Sequence, residues 1–464
     1  MPTSGMRSQR SAAATVLGLL LVGISAMPAH AESVRAKQWH LDAMRAQEMW
    51  KVSTGSGVTV AVIDSGVDDS LADLRGQVLD GKDYSEQRGD EHTDLEGHGT
   101  GMAALIAATG ARGSQNGSFG LAPGAKILPI RMRYATEQFG QVDGGAEYSR
   151  AMTKAIRYAA DSDAQIINIS MGRPNASGRR NVSTPELSAA VKYAIDKGKL
   201  IFAAVGNTGN TSNFVEYPAA TAGVVGVGAS DKEAKALLLS QRGPQVDLMA
   251  PGDDIVKACA GGTRICIGSG TSSATALVSA SAALVWSEHP DWTNHQVLRV
   301  LLNTAGKPKN GDERTDSVGY GTVRPRVALK NPGDPGPADK YPLPDLAASA
   351  ASPTTEAPAP SNSGTPPTGA GNKEADASGT RDDESVTWWV AAGAAAAVVI
   401  GIAVTLAVRG TRRRRANPAS PPLPPPPPYS PYGHPQQYSP YNPPQGYAAE
   451  PYRRGGTHGP DQHG

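Results

Sequence analysis

Val60-Ala61-Val62-Ile63-Asp64-Ser65-Gly66 is an apolar run that stops on a carboxylate, and Gly97-His98-Gly99-Thr100 and Gly270-Thr271-Ser272 supply an imidazole and a hydroxyl downstream of it. Residues 58–63 have the composition of a strand buried on both faces, and the small Ser65-Gly66 pair lets the chain turn sharply after it. A carboxylate at the carboxyl end of such a strand stands where open α/β sheets place their sites. His98 precedes Met102-Ala103-Ala104-Leu105-Ile106-Ala107-Ala108, a helix-forming run, so the imidazole belongs at or near a helix start. Ser272 opens Ser273-Ala274-Thr275-Ala276-Leu277-Val278-Ser279-Ala280, small residues that allow a helix to be buried against its neighbours. A hydroxyl there has backbone N–H groups close by to receive a developing oxyanion. Acid, base and nucleophile thus follow in the order Asp, His, Ser. A fourth group fits: Leu200-Ile201-Phe202-Ala203-Ala204-Val205-Gly206-Asn207 reads as another buried strand, ending on a side-chain amide.

Around these groups strands and helices alternate. Apolar runs at residues 58–63, 126–130, 165–169, 200–205 and 224–227 are predicted to be parallel strands. The stretch from Thr184-Pro185-Glu186-Leu187 to Asp196-Lys197-Gly198 carries an N-cap, a first-turn proline and a closing glycine. The expected fold class is α/β, a mainly parallel sheet covered by helices on both faces in three layers.

On these motifs the chain resembles the subtilase family of serine endopeptidases over residues 38–329. The resemblance implies that Asp64 orients and stabilises the imidazole of His98. His98 would take the proton of Ser272 and later return it to the leaving amine, while Ser272 attacks the scissile carbonyl to give an acyl-enzyme. Asn207 and the backbone N–H of Ser272 would form the oxyanion hole. Ser170, Met171 and Gly172, with Ala203, Ala204, Val205 and Gly206, would be the walls that pair with an extended peptide. The chain departs from the family pattern in two places. The usual His-Gly-Thr-His is His98-Gly99-Thr100-Gly101, and Gly-Thr-Ser-Met-Ala-Thr-Pro is Gly270-Thr271-Ser272-Ser273-Ala274-Thr275-Ala276. No proton-transfer group is touched, Ala276 eases helix formation, and the register against Gly-Thr-Ser favours Ser272 over its neighbour Ser273 as nucleophile.

Both ends of the chain speak of export. Arg7 and Arg10 precede an apolar stretch over residues 12–27 and Ala29-His30-Ala31, the pattern of a signal peptide (1–31) cleaved after Ala31, the alternative being an uncleaved anchor. Residues 388–408 carry no charge and are long enough, at about 1.5 Å per residue, to cross a hydrocarbon core of about 30 Å. Arg412-Arg413-Arg414-Arg415 on one side and Asp382-Asp383-Glu384 on the other orient this transmembrane helix with the catalytic part outside and the tail in the cytosol. Gly393, Ala397, Gly401 and Thr405 recur every four residues along it, either a face for a membrane partner or simply an alanine-rich span. The peptidase domain is expected over residues 32–332 and a disordered Pro/Ala/Ser-rich tether over 333–387. A basic, Pro/Tyr-rich tail follows over 409–464. The two cysteines, Cys259 and Cys266, are expected to form a disulfide in an exported protein, the alternative being two free thiols.

Residues 32–57 are too few for a folded inhibitory prodomain before the first core strand. Together with the single C-terminal span and Gln38-Trp39-His40-Leu41-Asp42, this layout resembles the mycosins, membrane-anchored subtilases of actinobacterial type VII secretion systems. That resemblance implies a short N-terminal stretch packed on the catalytic domain and work alongside a secretion membrane complex. The expected partners are a protein or peptide substrate, the membrane and that complex, and the alternative role is that of a structural component of the complex. A formal net charge of +1 offers no case for nucleic acid. No cofactor is expected: the nine histidines contain no His-Glu-x-x-His zinc pattern, and the acidic loop 86–96 lacks the spacing of a calcium site.

Overall fold

The computed structural model of the protein describes residues 32–133, 145–175, 181–260 and 265–351. Strand β1 (Thr59–Asp64) lies inside the sheet, parallel to β3 (Lys126–Arg131) on one side and β4 (Ile166–Ile169) on the other. With β2 (Lys82–Asp83) beyond β3, and β6 (Leu200–Ala204), β8 (Val225–Ser230) and β9 (Leu248–Pro251) beyond β4, the order is β2-β3-β1-β4-β6-β8-β9. Every pairing is parallel. Two antiparallel ribbons lie outside the sheet, β5 (Arg173–Pro174) with β7 (Glu216–Tyr217) and β10 (Ile255–Ala258) with β11 (Ile265–Gly268).

The alternation of side chains along the strands builds two cores. Among the described residues the helices of ten residues or more are α1 (His98–Ala107), α2 (Gly145–Asp161), α3 (Pro185–Asp196), α4 (Thr271–Glu288) and α5 (Asn294–Thr304). Val60, Val62, Phe202 and Val227 face one side, with buried residues of α1, α4 and α5. Ala61, Ile63, Ile167 and Ile201 face the other, with α2 and α3. This is the expected three-layer α/β/α arrangement, and each Val, Ile or Phe side chain so enclosed contributes about 1.5–3 kcal/mol of burial. Helix α3 starts where its caps predict: Thr184 Oγ1 accepts from Leu187 N at 3.2 Å.

Helix α4 is buried on almost all sides from Thr271 to Trp286, which explains its alanine and serine content. Small side chains let the sheet and neighbouring helices approach its backbone. Two of its hydroxyls return to carbonyls one turn back, Thr275 Oγ1 to Thr271 O at 2.8 Å and Ser281 Oγ to Leu277 O at 2.7 Å, and Ser279 Oγ donates to Asn168 Oδ1 at 3.0 Å, so these buried hydroxyls are paired.

The N-terminal stretch packs on this domain. Gln38 is fully buried, its Nε2 donating to Phe119 O at 2.8 Å and its Oε1 accepting from Phe119 N at 3.0 Å. Leu41 and Met49 join the core, and Trp50 Nε1 donates to Leu121 O at 2.8 Å.

At the other end the boundary read at residue 332 is too early. Tyr341 OH donates to Gly223 O at 2.6 Å, Leu343 is buried, and Arg299 Nη1 donates to Pro335 O and Pro337 O at 2.6 and 3.0 Å. A helix, Pro344–Ala351, follows, and its Leu346 packs against the core under α2 and α3, so contacts with the domain run to residue 346. Its proline-rich composition reads as a tether, yet a few side chains and one arginine among its carbonyls hold it down.

Cys259 and Cys266 are joined in a disulfide at the β10–β11 ribbon. Among the described residues no helix is long and apolar enough to cross a membrane. The expected signal peptide, the transmembrane helix at 388–408 and the tail lie outside the described residues.

Candidate active site

Asp64 ends β1 fully buried, and its Oδ1 is 2.7 Å from His98 Nδ1. The same oxygen accepts from Ser65 N at 2.8 Å. With Asp64 ionised, the proton sits on Nδ1 and Nε2 becomes the basic nitrogen. His98 opens α1 with its side chain 23 % exposed. Burial, the largest single influence, pulls its pKa down, but the charge and hydrogen bond of Asp64 outweigh it. The imidazole is held above its ordinary value, with Lys257 opposing and Asp94 assisting.

Asp94 secures the turn that carries His98. Its Oδ1 accepts from Gly97 N and Ser65 Oγ, both at 2.8 Å, and its Oδ2 from Thr100 N at 2.8 Å and Thr100 Oγ1 at 2.6 Å. Gly97, at the N-cap of α1, has no side chain to cap the helix, so Asp94 supplies the acceptor. Ser65 Oγ in turn accepts from Gly99 N at 3.0 Å, tying the end of β1 to the first turn of α1. Gly99 is required there because a Cβ would meet Asp64 Cβ at 3.0 Å and come still nearer Gly66 O.

Ser272 is the second residue of α4, another helix start on the same face of the sheet as α1. Its Oγ donates to Ser170 O at 2.9 Å. Behind it, Asn168 Nδ2 donates to Ser170 Oγ at 3.0 Å and Asn168 Oδ1 accepts from Ser279 Oγ at 3.0 Å. That chain of bonds satisfies a polar residue in the middle of β4 and sets α4 against the strand. Ser273, the neighbour that raised the choice of nucleophile, is buried. Asn207 follows β6, and its Oδ1 accepts from Thr271 N at 2.9 Å and Thr271 Oγ1 at 3.1 Å. Anchoring the oxygen leaves the Nδ2 end to donate beside Ser272.

A cavity of about 320 Å³ opens here, and Ser170, Met171, Gly172, Asn207 and Ser272 line it. Of the second expected wall, Ala204 and Gly206 line it too. Ala203 and Val205 do not: both are fully buried in the core under α2 and α3, as alternation along a strand requires. A larger cavity, about 940 Å³, borders Trp39, Lys307 and Arg324 and contains none of the candidate groups. Among the described residues no three His, Cys, Asp or Glu side chains are grouped to hold a metal ion.

Three residues of the site went unread in the sequence. Asp94 lies in the acidic loop weighed only for calcium, although an aspartate three residues before Gly97-His98 is a capping signal. Lys257, 8 % exposed in β10, has a pKa lowered by burial to about 8. Its signal was a lone charge in Ile255-Val256-Lys257-Ala258. Glu216, on β7, lines the cavity, and burial raises its pKa to about 7 against the hydrogen bond of Gln241. Nothing local marks it.

The chain belongs to the subtilase family, whose model (Peptidase S8) matches residues 55–321. A thermophilic serine proteinase of Bacillus sp. (strain AK1) is 37 % identical over 259 residues, 56 % of this chain and 59 % of that protein. The chain therefore spans about three-fifths of that relative's length. Among solved structures, that of MycP1 from Mycobacterium smegmatis is 29 % identical, with 68 % of this chain and 89 % of that chain covered and a TM-score of 0.57. A chain of an intact ESX-5 inner membrane complex is 28 % identical, with 82 % and 92 % covered and a TM-score of 0.58.

Proposed function

We propose that this protein is a membrane-anchored, extracytoplasmic serine endopeptidase that works with a type VII secretion membrane complex. The observation that carries the reading is the 2.7 Å pair of a buried Asp64 and His98, on the face of the sheet where Ser272 and Asn207 border one cavity. Ser272 Oγ turns from Ser170 O to His98 Nε2, gives up its proton and attacks the peptide carbonyl. The oxyanion is received by Asn207 Nδ2 and the Ser272 N–H, one of the unpaired donors of a helix start. His98 passes the proton to the leaving amine, then activates the water that releases the acyl group. Asp64 stabilises the imidazolium throughout.

The secretion role draws on the likeness to MycP1 and to the chain of the ESX-5 inner membrane complex, together with the signal peptide and membrane span expected at 1–31 and 388–408. The test is fluorophosphonate labelling of the full chain in detergent. Labelling lost in Ser272→Ala and kept in Ser273→Ala supports an activated Ser272; an unlabelled, folded wild type overturns the enzymatic reading. If Ser272→Ala restores secretion to a deletion strain, the protein acts there as a structural component.

A further inference from the structure

Resting on the reading of Ser272 as the nucleophile, we infer that Glu216 makes the cavity beside it select a cationic side chain, lysine or arginine, on the acyl side of the scissile bond. The residue whose carbonyl is attacked at Ser272 has to place its side chain in the space between the segments of Ser170 to Gly172 and Ala204 to Gly206. The Glu216 carboxylate closes that space. A Cβ on Gly172 would lie 2.8 Å from Glu216 Oε2, and one on Gly206 would lie 2.6 Å from Glu216 Oε1. Both walls are glycine where they meet it, so the backbone comes down to the carboxylate on each side.

Glu216 is also held in position. The β5–β7 ribbon that carries it continues directly from Met171 and Gly172, with Pro174 opposite Glu216. Gln241, fully buried, donates from Nε2 to Glu216 Oε1 at 2.8 Å and to Thr208 Oγ1 at 3.0 Å, fastening the carboxylate to the Gly206–Thr208 side. Among the described residues Oε2 accepts no hydrogen bond, and no cation pairs with Glu216. Arg133 and Arg173 border the cavity, but Arg133 lies 3.6 Å from Glu86 and 3.9 Å from Glu147, and Arg173 lies over the Tyr148 ring at 5.8 Å. Neither moves the titration of Glu216, which burial dominates. A desolvated carboxylate with one oxygen anchored and the other facing an open cavity gains most from a ligand that brings its own positive charge. A leucine or an acidic side chain in the same place would leave that carboxylate unpaired or repelled.

The experiment uses the full chain in detergent micelles and internally quenched peptides identical except for Lys, Arg, Leu, Ala or Glu before the scissile bond. Fluorophosphonate labelling of the same preparation reports the serine. The expected result is a kcat/KM for Lys and Arg peptides about a hundredfold above that for Leu. This ratio should collapse toward one in Glu216→Gln, and Glu216→Lys should turn the preference toward the Glu peptide. Because the last is a gain of preference, it does not depend on how well the Gln variant folds. Labelled wild type that favours Leu or Ala, or a Lys-to-Leu ratio unmoved in both variants, overturns this inference and leaves the protease reading standing. Wild type that neither labels nor cleaves overturns the protease reading and this inference with it.

Discussion

The side chain of Lys257 occupies the space that anything larger than glycine would need at position 101: a Cβ there would meet Lys257 Cε at 3.0 Å and Cδ at 3.2 Å. Gly101, where the chain departs from the family pattern, is thus packed against a buried lysine on β10. Its ammonium is desolvated and lies close enough to His40 and His98 to lower both titrations, His40 also being drawn down, to about 3, chiefly by its own burial.

Keeping Lys257 charged in this place at pH 7 costs about 3 kcal/mol, since its pKa falls from 10.5 to about 8. A lysine whose folded pKa is depressed weakens the fold most below that pKa, and the penalty fades as pH rises from about 8 toward 10.5. Lys257→Met is therefore expected to raise the thermal midpoint at pH 7 and to erase the gain of stability that the wild type shows between pH 8 and 10. With the positive charge removed, the His98 pKa rises and the acid limb of kcat/KM moves to higher pH. Thermal melts and a pH–rate profile on the two proteins measure both effects.

In the proposed mechanism His98 must be neutral to accept the serine proton, and although burial pulls its pKa down, Asp64 holds it above the ordinary 6.5. The wild-type acid limb of kcat/KM should accordingly fall above pH 6.5, activity rising as pH increases through it. Asp64→Asn removes the charge that raises His98, so that limb should shift to lower pH while kcat drops by about 10⁴, the usual consequence of a mis-set tautomer. A limb that stays in place would mean that Asp64 does not govern the base.

On the proposed mechanism Asn207 has two tasks that one variant can separate. Its oxygen accepts from Thr271 at the start of α4, and its amide nitrogen is free to meet the oxyanion. Asn207→Asp keeps the acceptor and removes the donor. Stability should change little, while kcat falls by about 3 to 4 kcal/mol of transition-state stabilisation, a magnitude measured for the analogous donor in a subtilisin. A comparable loss in KM rather than kcat would point to a ground-state contact.

Asp94 collects bonds from Gly97, Ser65 and Thr100, so its carboxylate holds the turn on which His98 stands. Asp94→Ala leaves several of these donors without a partner. Unfolding should become easier by about 2 to 4 kcal/mol, and kcat should decline with the position of His98. Denaturant titration and kcat below the new midpoint distinguish this from simple loss of folded protein.

Much of the site was legible because its groups terminate regular elements. Asp64 and Asn207 each follow an all-apolar strand, and His98 and Ser272 each open a helix of small residues; these signals are local and survive in a string of letters. Five of the seven sheet strands could be read as buried runs for the same reason. Strand β2, only Lys82–Asp83, is too short to show a pattern, and β9 is an ordinary Leu248–Pro251 stretch that becomes a strand by pairing with β8. The inward turn of Ala203 and Val205 was available from the period of two along a strand, but the wall was read as a continuous segment.

Sequence alone thus determined the three-layer α/β/α class, the Asp-His-Ser order and the helix starts that present the imidazole and the hydroxyl, because each follows from periodicity and composition within a dozen residues. Tertiary structure alone decided what surrounds them. It brings Glu216 between Gly172 and Gly206, packs Lys257 against Gly101, and holds residues 333–346 on the domain through Tyr341, Arg299 and Leu346. Each of these joins segments ten or more residues apart, and such contacts depend on which surfaces remain to be covered once the strands have paired, a quantity that no local pattern encodes.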